Sequence, residues 1–295
     1  MRPFEYLIPA SVDEAITMRQ EHGDCSRFIA GGTELVVAMK AGKLRVDYLV
    51  ELSRLTTLRY LKLTDGGLTI GPLTTHAEIA RSPLLRGPWL ALAEASASIR
   101  EPQVQNLGTI GGNIAFAVPS ADTAPPLLTF DAMLALQGPR GTRTVPISEF
   151  FLAPYRSVLG PAEMLVEIHL PGTGSHFGSA FCKVGRHHGL GLSVVSVAAS
   201  LELEAGTIVR ARVAMGVAAP TPRRVVEAES LLLGEKPDSS LFREAGRLVS
   251  QAATPRAGSI RGSPEYKREV LPVLAERALG LAAARASAHA ERGSR

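Results

Sequence analysis

Asn106-Leu107-Gly108-Thr109-Ile110-Gly111-Gly112-Asn113-Ile114 is the stretch that decides how this chain is read. Three glycines and small polar or amide side chains lie between apolar flanks. Glycine has no Cβ, so consecutive backbone N–H groups can converge on a phosphate in conformations that other residues resist. A second glycine stretch, Phe28-Ile29-Ala30-Gly31-Gly32-Thr33-Glu34-Leu35, stands 80 positions earlier, counted from Gly31 to Gly111. Two such loops in one chain are expected to close on one diphosphate.

Working outward, Ser11-Val12-Asp13-Glu14 has the spacing of a capping box, with Val12, Ala15 and Ile16 on the buried side of the helix that ends at Gly23. Arg27 to Ala30 reads as a strand, Glu34 to Met39 as a helix, and Tyr48 to Leu52 as a second strand. Asp65-Gly66-Gly67 marks a hairpin, and Thr75-His76-Ala77-Glu78 is another capping box, with His76 expected as an exposed first-turn residue. Trp89 to Ile99 is a helix of small residues, with Trp89 read as core. Met164 to Leu170 alternates as a strand does, and Pro171 to Ser175 is the best linker. Beyond it, Ser193 to Glu204 and Thr207 to Val217 form an antiparallel hairpin, followed by helices at about 223–233, 241–253 and 264–284. Pro272 inside the last pattern is expected to kink or restart that helix.

A chain of 295 residues with 45% hydrophobic content can bury more than one core. Aromatics are 5% and the arginines are scattered, which argues against nucleic-acid binding. Cys25 and Cys182 are too few for a disulfide framework or a metal cluster and read as small buried hydrophobes. The start lacks a signal-peptide core, and no apolar run has the length of a spanning helix. A soluble, cytoplasmic protein is expected.

The first loop invites comparison with a Rossmann dinucleotide site, since Glu51 follows Gly32 by 19 residues, where a ribose-binding acid would stand. The G-x-G-x-x-G spacing is missing, however, and no Gly-Lys-Ser/Thr follows the second loop. Asp122, nine residues past Asn113, can accept bonds from a sugar hydroxyl or cap the segment from Thr123. His187-His188 reads as a polar loop. Lys183 on its own reads as a solvated strand-end charge. No catalytic triad, paired metal ligands or H-E-x-x-H is present, so neither catalytic nor metal-binding residues are assigned.

Taken together, Ala30-Gly31-Gly32-Thr33-Glu34-Leu35, Gly108-Thr109-Ile110-Gly111-Gly112-Asn113-Ile114, Ser120-Ala121-Asp122, Phe181-Cys182-Lys183-Val184-Gly185-Arg186, Gly216 to Arg223 and Ile260-Arg261-Gly262-Ser263-Pro264-Glu265-Tyr266 resemble a known family. It comprises the FAD-binding medium subunits of molybdenum hydroxylases such as xanthine and carbon monoxide dehydrogenases. The resemblance spans about residues 1 to 285. It implies an α+β protein with a two-subdomain FAD-binding fold of the PCMH or vanillyl-alcohol-oxidase type at 1–174, divided near 56. A C-terminal domain at 175–285, a three-stranded antiparallel sheet with helices, would follow, and 286–295 would be a flexible tail.

By the same resemblance, Ile29, Ala30, Gly31, Gly32, Thr33, Glu34 and Leu35 would hold the FAD diphosphate from one side. Thr109, Ile110, Gly111, Gly112 and Asn113 would hold it from the other. Asp122 would meet the sugar portion, Leu165 would lie on the cofactor with its backbone, and Lys183 would contact FAD. The function implied is electron transfer from the [2Fe–2S] clusters of a small partner subunit, through FAD, to NAD⁺, quinone or another acceptor. Substrate would be oxidised on a large molybdopterin-binding subunit, in a dimer of heterotrimers. One departure stands out: family members often carry Arg-Asn-Arg or Arg-Asn-Val where this chain has Gln105-Asn106-Leu107. Two other readings compete, a stand-alone nicotinamide-dependent Rossmann dehydrogenase and a cofactor-free assembly module.

Overall fold

A computed structural model describes residues 2–185, 192–259 and 261–293. The reading of His187-His188 therefore lies outside the described residues. The first unit runs β1 (Glu5–Leu7), α1 (Val12–His22), β2 (Ser26–Ile29), α2 (Leu35–Lys40) and β3 (Tyr48–Glu51). Its strands pair in the order β1-β3-β2, all parallel. At the start of α1 the Ser11 side chain accepts the Glu14 N–H at 3.1 Å. Glu14 reaches past Ser11 to the Ala10 N–H at 2.6 Å, so the expected box closes one residue early. Ala15 and Ile16 pack against Val50 and Leu52 behind the sheet.

The second unit begins with the hairpin β4 (Leu61–Thr64) and β5 (Gly67–Ile70). Five helices follow: α3 (His76–Arg81), α4 (Leu90–Ala97), α5 (Pro102–Leu107), α6 (Ile110–Ala115) and α7 (Ala124–Thr129). Strands β6 (Met133–Gly138) and β7 (Gly141–Pro146), the small ribbon β8 (Phe151–Ala153) and β9 (Arg156–Ser157), and β10 (Met164–Pro171) complete it. The sheet order is β4-β5-β10-β6-β7, antiparallel throughout. Thr75 and Glu78 form the full reciprocal capping box expected for α3. Ile168 and Leu170 of β10 join Ile79, Leu92, Ile114 and Leu127 of the helices in one core, with Trp89 buried in it.

The third unit holds β11 (Phe177–Gly185), β12 (Ser193–Glu204), β13 (Thr207–Gly216), β14 (Arg223–Arg224), α8 (Val226–Leu232), α9 (Ser239–Gln251) and α10 (Pro264–Gly293). The three long antiparallel strands are those expected, and the two-residue β14 extends the sheet by a fourth. Arg223 and Arg224 pair with Met215 and Ala214, so the helix expected from 223 begins at Val226.

Pro272 neither ends nor restarts α10. A proline removes the N–H that would bond the carbonyl four residues back. Here that carbonyl, Arg268 O, accepts the Ser250 hydroxyl of α9 at 2.7 Å. Gly246 of α9 lies against Pro272, where a Cβ would come 2.7 Å from its carbonyl oxygen. The tail expected to be loose from 286 is helical to Gly293, with Ala286 fully buried. The reason is that α10 lies directly on β11: a Cβ on Gly178 would sit 2.1 Å from Ala282 O.

The third unit is joined to the second by a shared core and by polar clasps. Phe177 and Phe181 pack into the core of the second unit. Ser179 Oγ donates to Pro88 O at 2.6 Å, and Arg285 donates to Glu94 and to Ser179 O. Asp131 accepts from Arg210, Arg212 and Arg224 together. Of the two cysteines Cys182 is buried, but Cys25 is exposed because it lies in the turn after α1, contrary to the expectation for it.

Candidate functional site

The two glycine stretches touch. A Cβ added to Gly31 would lie 1.7 Å from Leu107 O and 2.4 Å from its carbonyl carbon. Only a residue without a side chain lets the loop after β2 press on the end of α5. At Gly108 the site of a Cβ is 3.4 Å from Thr33 Oγ1, so the contact continues along both loops. Gly32 has φ +68, a left-handed conformation that favours glycine, and its carbonyl accepts the Val36 N–H that opens α2.

The two loops differ in where their donors go. In the second, the N–H groups of Gly108, Ile110, Gly111 and Asn113 bond to Val104, Thr74, Pro72 and Thr109 carbonyls. Gly112 N–H goes to Thr109 Oγ1 at 3.1 Å, which caps α6. Gly111 is glycine because a Cβ would meet Pro72 Cβ at 2.4 Å. In the first loop, the N–H groups of Gly31, Gly32, Thr33, Glu34 and Leu35 meet no acceptor among the described residues, and no side chain caps α2. The open donors expected of both loops are therefore concentrated in the first, with the second as its rigid backing. These donors suit an anion such as a diphosphate, which needs several short N–H contacts at once.

Asp122 and Lys183 come together. Lys183 Nζ lies 2.7 Å from Asp122 Oδ2, and Ser193 Oγ lies 2.5 Å from Oδ1. Both charged side chains are largely buried, so Lys183 is not a solvated strand-end charge. Asp122 does not cap α7, whose N-cap position is Thr123. Burial raises the Asp122 carboxyl pKa, and Lys183, then Ser193, work against that rise. Asn113 connects this pair to the second loop, since its Oδ1 accepts the Thr123 hydroxyl at 2.6 Å.

Leu165 is buried in β10, on which α6 packs. The β10–β6 register shifts between Leu165 and Glu167, and β5 pairs with β10 only from Ile168 onward. Val166, next to Leu165, therefore has no register partner in either neighbouring strand.

Three features were not legible in the sequence. Ser193 belongs to the site only because β12 folds it beside Asp122. His76 is 2% exposed rather than on the surface, because its N–H bonds Gly108 O and pins the start of α3 beneath the second loop. Burial lowers its pKa to about 4, so the imidazole is neutral at neutral pH, and its Nδ1 has no partner among the described residues. At the departure noted above, Gln105 Nε2 donates to Ile99 O at 2.6 Å and ties α5 to the end of α4. The Leu107 side chain is exposed, and neither residue offers a positive charge to the loops. Among the described residues no cluster of potential metal ligands exists.

The family model described as the FAD binding domain in molybdopterin dehydrogenase matches residues 2–173, and that for the CO dehydrogenase flavoprotein C-terminal domain matches 179–282. The carbon monoxide dehydrogenase medium chain of Hydrogenophaga pseudoflava is 33% identical over 285 residues, covering 96% of this chain and 98% of the relative. The 6-hydroxypseudooxynicotine dehydrogenase complex subunit alpha of Paenarthrobacter nicotinovorans is 32% identical, covering 97% of each chain. A solved carbon monoxide dehydrogenase from Hydrogenophaga pseudoflava superposes with a TM-score of 0.92 at 33% identity, over 96% of this chain and 98% of that one. Quinoline 2-oxidoreductase from Pseudomonas putida 86 gives 0.88 at 26% identity, with the same coverage.

Proposed function

Because the chain belongs to the family of FAD-binding medium subunits of molybdenum hydroxylases, we propose that it carries electrons from an iron–sulfur partner to a terminal acceptor through its FAD. Bound FAD would supply the redox chemistry, since a flavin takes electrons singly and passes them on in pairs. The protein's own part is to bind and orient. The donors of Gly31 to Leu35 would hold the diphosphate, and Leu107 and Gly108, where the second stretch meets the first, would keep that loop in place. Asp122, positioned by Lys183 and Ser193, would meet the sugar portion, and Leu165 would offer its backbone to the cofactor. The observation that carries this reading is the set of open N–H groups in the first loop, fixed against the second by Gly31.

The relatives' names point to chains working in complexes. Accordingly the partners proposed are a large molybdopterin-binding subunit and a small [2Fe–2S] subunit, assembled as a dimer of heterotrimers in the cytoplasm. No helix among the described residues is long and apolar enough to cross a membrane. The acceptor is NAD⁺, a quinone or another carrier. A lone Rossmann dehydrogenase is disfavoured by the wholly antiparallel sheet of the third unit.

Co-expression with the neighbouring reading frames tests the assembly. The chain is expected to co-purify with a large molybdopterin chain and a small cysteine-rich one. An isolated chain that oxidises a substrate with NAD⁺ would contradict it.

A further inference from the structure

Among the described residues five that are not glycine have positive φ, and three of these meet on one segment. Ala117, with φ +52, opens the segment that leads from α6 to Asp122. Its carbonyl accepts the N–H of Tyr155, φ +62, at 2.8 Å. The Pro119 carbonyl accepts the N–H of Val217, also φ +62, at 3.1 Å. The path to Asp122 is thus fixed by donors whose own backbones are left-handed. For a β-branched residue such as valine this conformation is rare and costly, and it persists only where the surroundings hold it.

What holds Val217 is a lysine. Val217 follows β13, and its carbonyl accepts Lys267 Nζ of α10 at 3.1 Å. The same ammonium donates to Ser259 Oγ at 3.2 Å, in the loop between α9 and α10. That loop also bonds the next residue of the turn, since Thr254 N–H goes to Ala218 O at 2.9 Å. Two effects weigh against a lysine at 267. It is 2% exposed, so its charge is taken out of water, and it stands in the first turn of α10, where the helix dipole favours negative charge. Its hydrogen bonds to the Val217 carbonyl and the Ser259 hydroxyl are what offset these costs.

We propose that Lys267 is a positioning residue of the cofactor site: by holding Val217 left-handed it fixes the Pro119 carbonyl, and with it the segment that sets Asp122 beside Lys183. The assignment rests on the FAD reading above, in which Asp122 meets the sugar portion. Lys267 acts through two successive hydrogen bonds, Nζ to Val217 O and Val217 N–H to Pro119 O. A glycine at 217 would adopt the same φ without strain, so the need for the lysine comes from the valine.

That dependence gives the test, a double-mutant cycle on the full-length apo-chain titrated with FAD and followed by flavin fluorescence. Each apo-chain is first shown to be folded by circular dichroism at the temperature of the titration. Lys267→Met leaves the Val217 carbonyl unmatched and lets the turn relax, and should raise the Kd about tenfold. In the Val217→Gly background the same change should raise it by no more than about twofold, because the turn no longer needs holding. A lysine that only stabilises the fold would lower the melting temperature and leave the Kd of the folded chain alone, and that result overturns the assignment. So does an equal loss of affinity in both backgrounds, which would mean that the effect does not run through Val217. Should Lys267→Met fail to fold, Lys267→Gln replaces it in the cycle, and the same two results decide. A wild-type chain that takes up no FAD overturns the FAD reading itself, and the assignment with it.

Discussion

Gly31→Ala is expected to abolish FAD binding while leaving most of the fold standing. The new Cβ would be placed 1.7 Å from Leu107 O, far inside any tolerable contact, and that oxygen is backbone, with no rotamer to escape into. The loop after β2 must then move off the end of α5. Overpacking of this kind costs about 3 kcal/mol or more, which corresponds to a loss of at least about a hundredfold in affinity if the loop pays it only when it binds. Isothermal titration of the variant with FAD measures this directly. Gly280→Ala is the control: it is a mid-helix glycine of α10 with nothing near its Cβ position, and alanine there should add up to about 1 kcal/mol of stability with FAD affinity unchanged. A Gly31→Ala protein that binds FAD as wild type does would show that the loops need not touch.

Lys183→Met should be the most destabilising single change at the site. Removing one partner of a buried ion pair leaves the other charge uncompensated and costs about 3–5 kcal/mol. Among the described residues, the hydrogen bond left to the Asp122 carboxylate would be that from the Ser193 hydroxyl. The pH dependence gives the sign. The folded pKa of Asp122 is already raised by burial, with Lys183 the largest opposing influence, so removing Lys183 raises it further. A carboxyl whose folded pKa lies above its unfolded value destabilises the fold as pH rises through that window, and the cost fades as it is protonated below it. The variant should therefore lose much more stability, relative to wild type, at about pH 8 than at about pH 5. Urea unfolding at both pH values checks this, and an equal loss at the two would mean that Asp122 is not the group left stranded.

Local signals carried most of the elements. Ser11 and Thr75 announce helix starts, Asp65-Gly66-Gly67 a hairpin, and Ala205-Gly206 the turn between the long strands β12 and β13. What failed to show were contacts made across the chain. The second loop looks like a phosphate cradle in isolation, but Thr74 and Pro72, some 35 or more positions earlier, take up the donors of Ile110 and Gly111. His76 follows a capping residue, where exposure is the usual outcome, yet the Gly108 carbonyl holds it inside. Pro272 reads as a helix breaker until Ser250 of another helix answers the carbonyl it frees. The sequence just past 285 carries no strong helix signal beyond alanine content, and the helix continues there with Ala286 lying against Gly178 of β11. Ser193 comes beside Asp122 only through the docking of the third unit on the second.

The central claim is that the first glycine loop, backed by the second, holds FAD. The most direct measurement is the flavin released when the purified full-length chain is denatured by heat. A yellow protein giving up equimolar FAD, with no FMN, is the predicted result. A colourless chain that takes up no FAD when supplied with it, alone or with its partner subunits, would contradict the account.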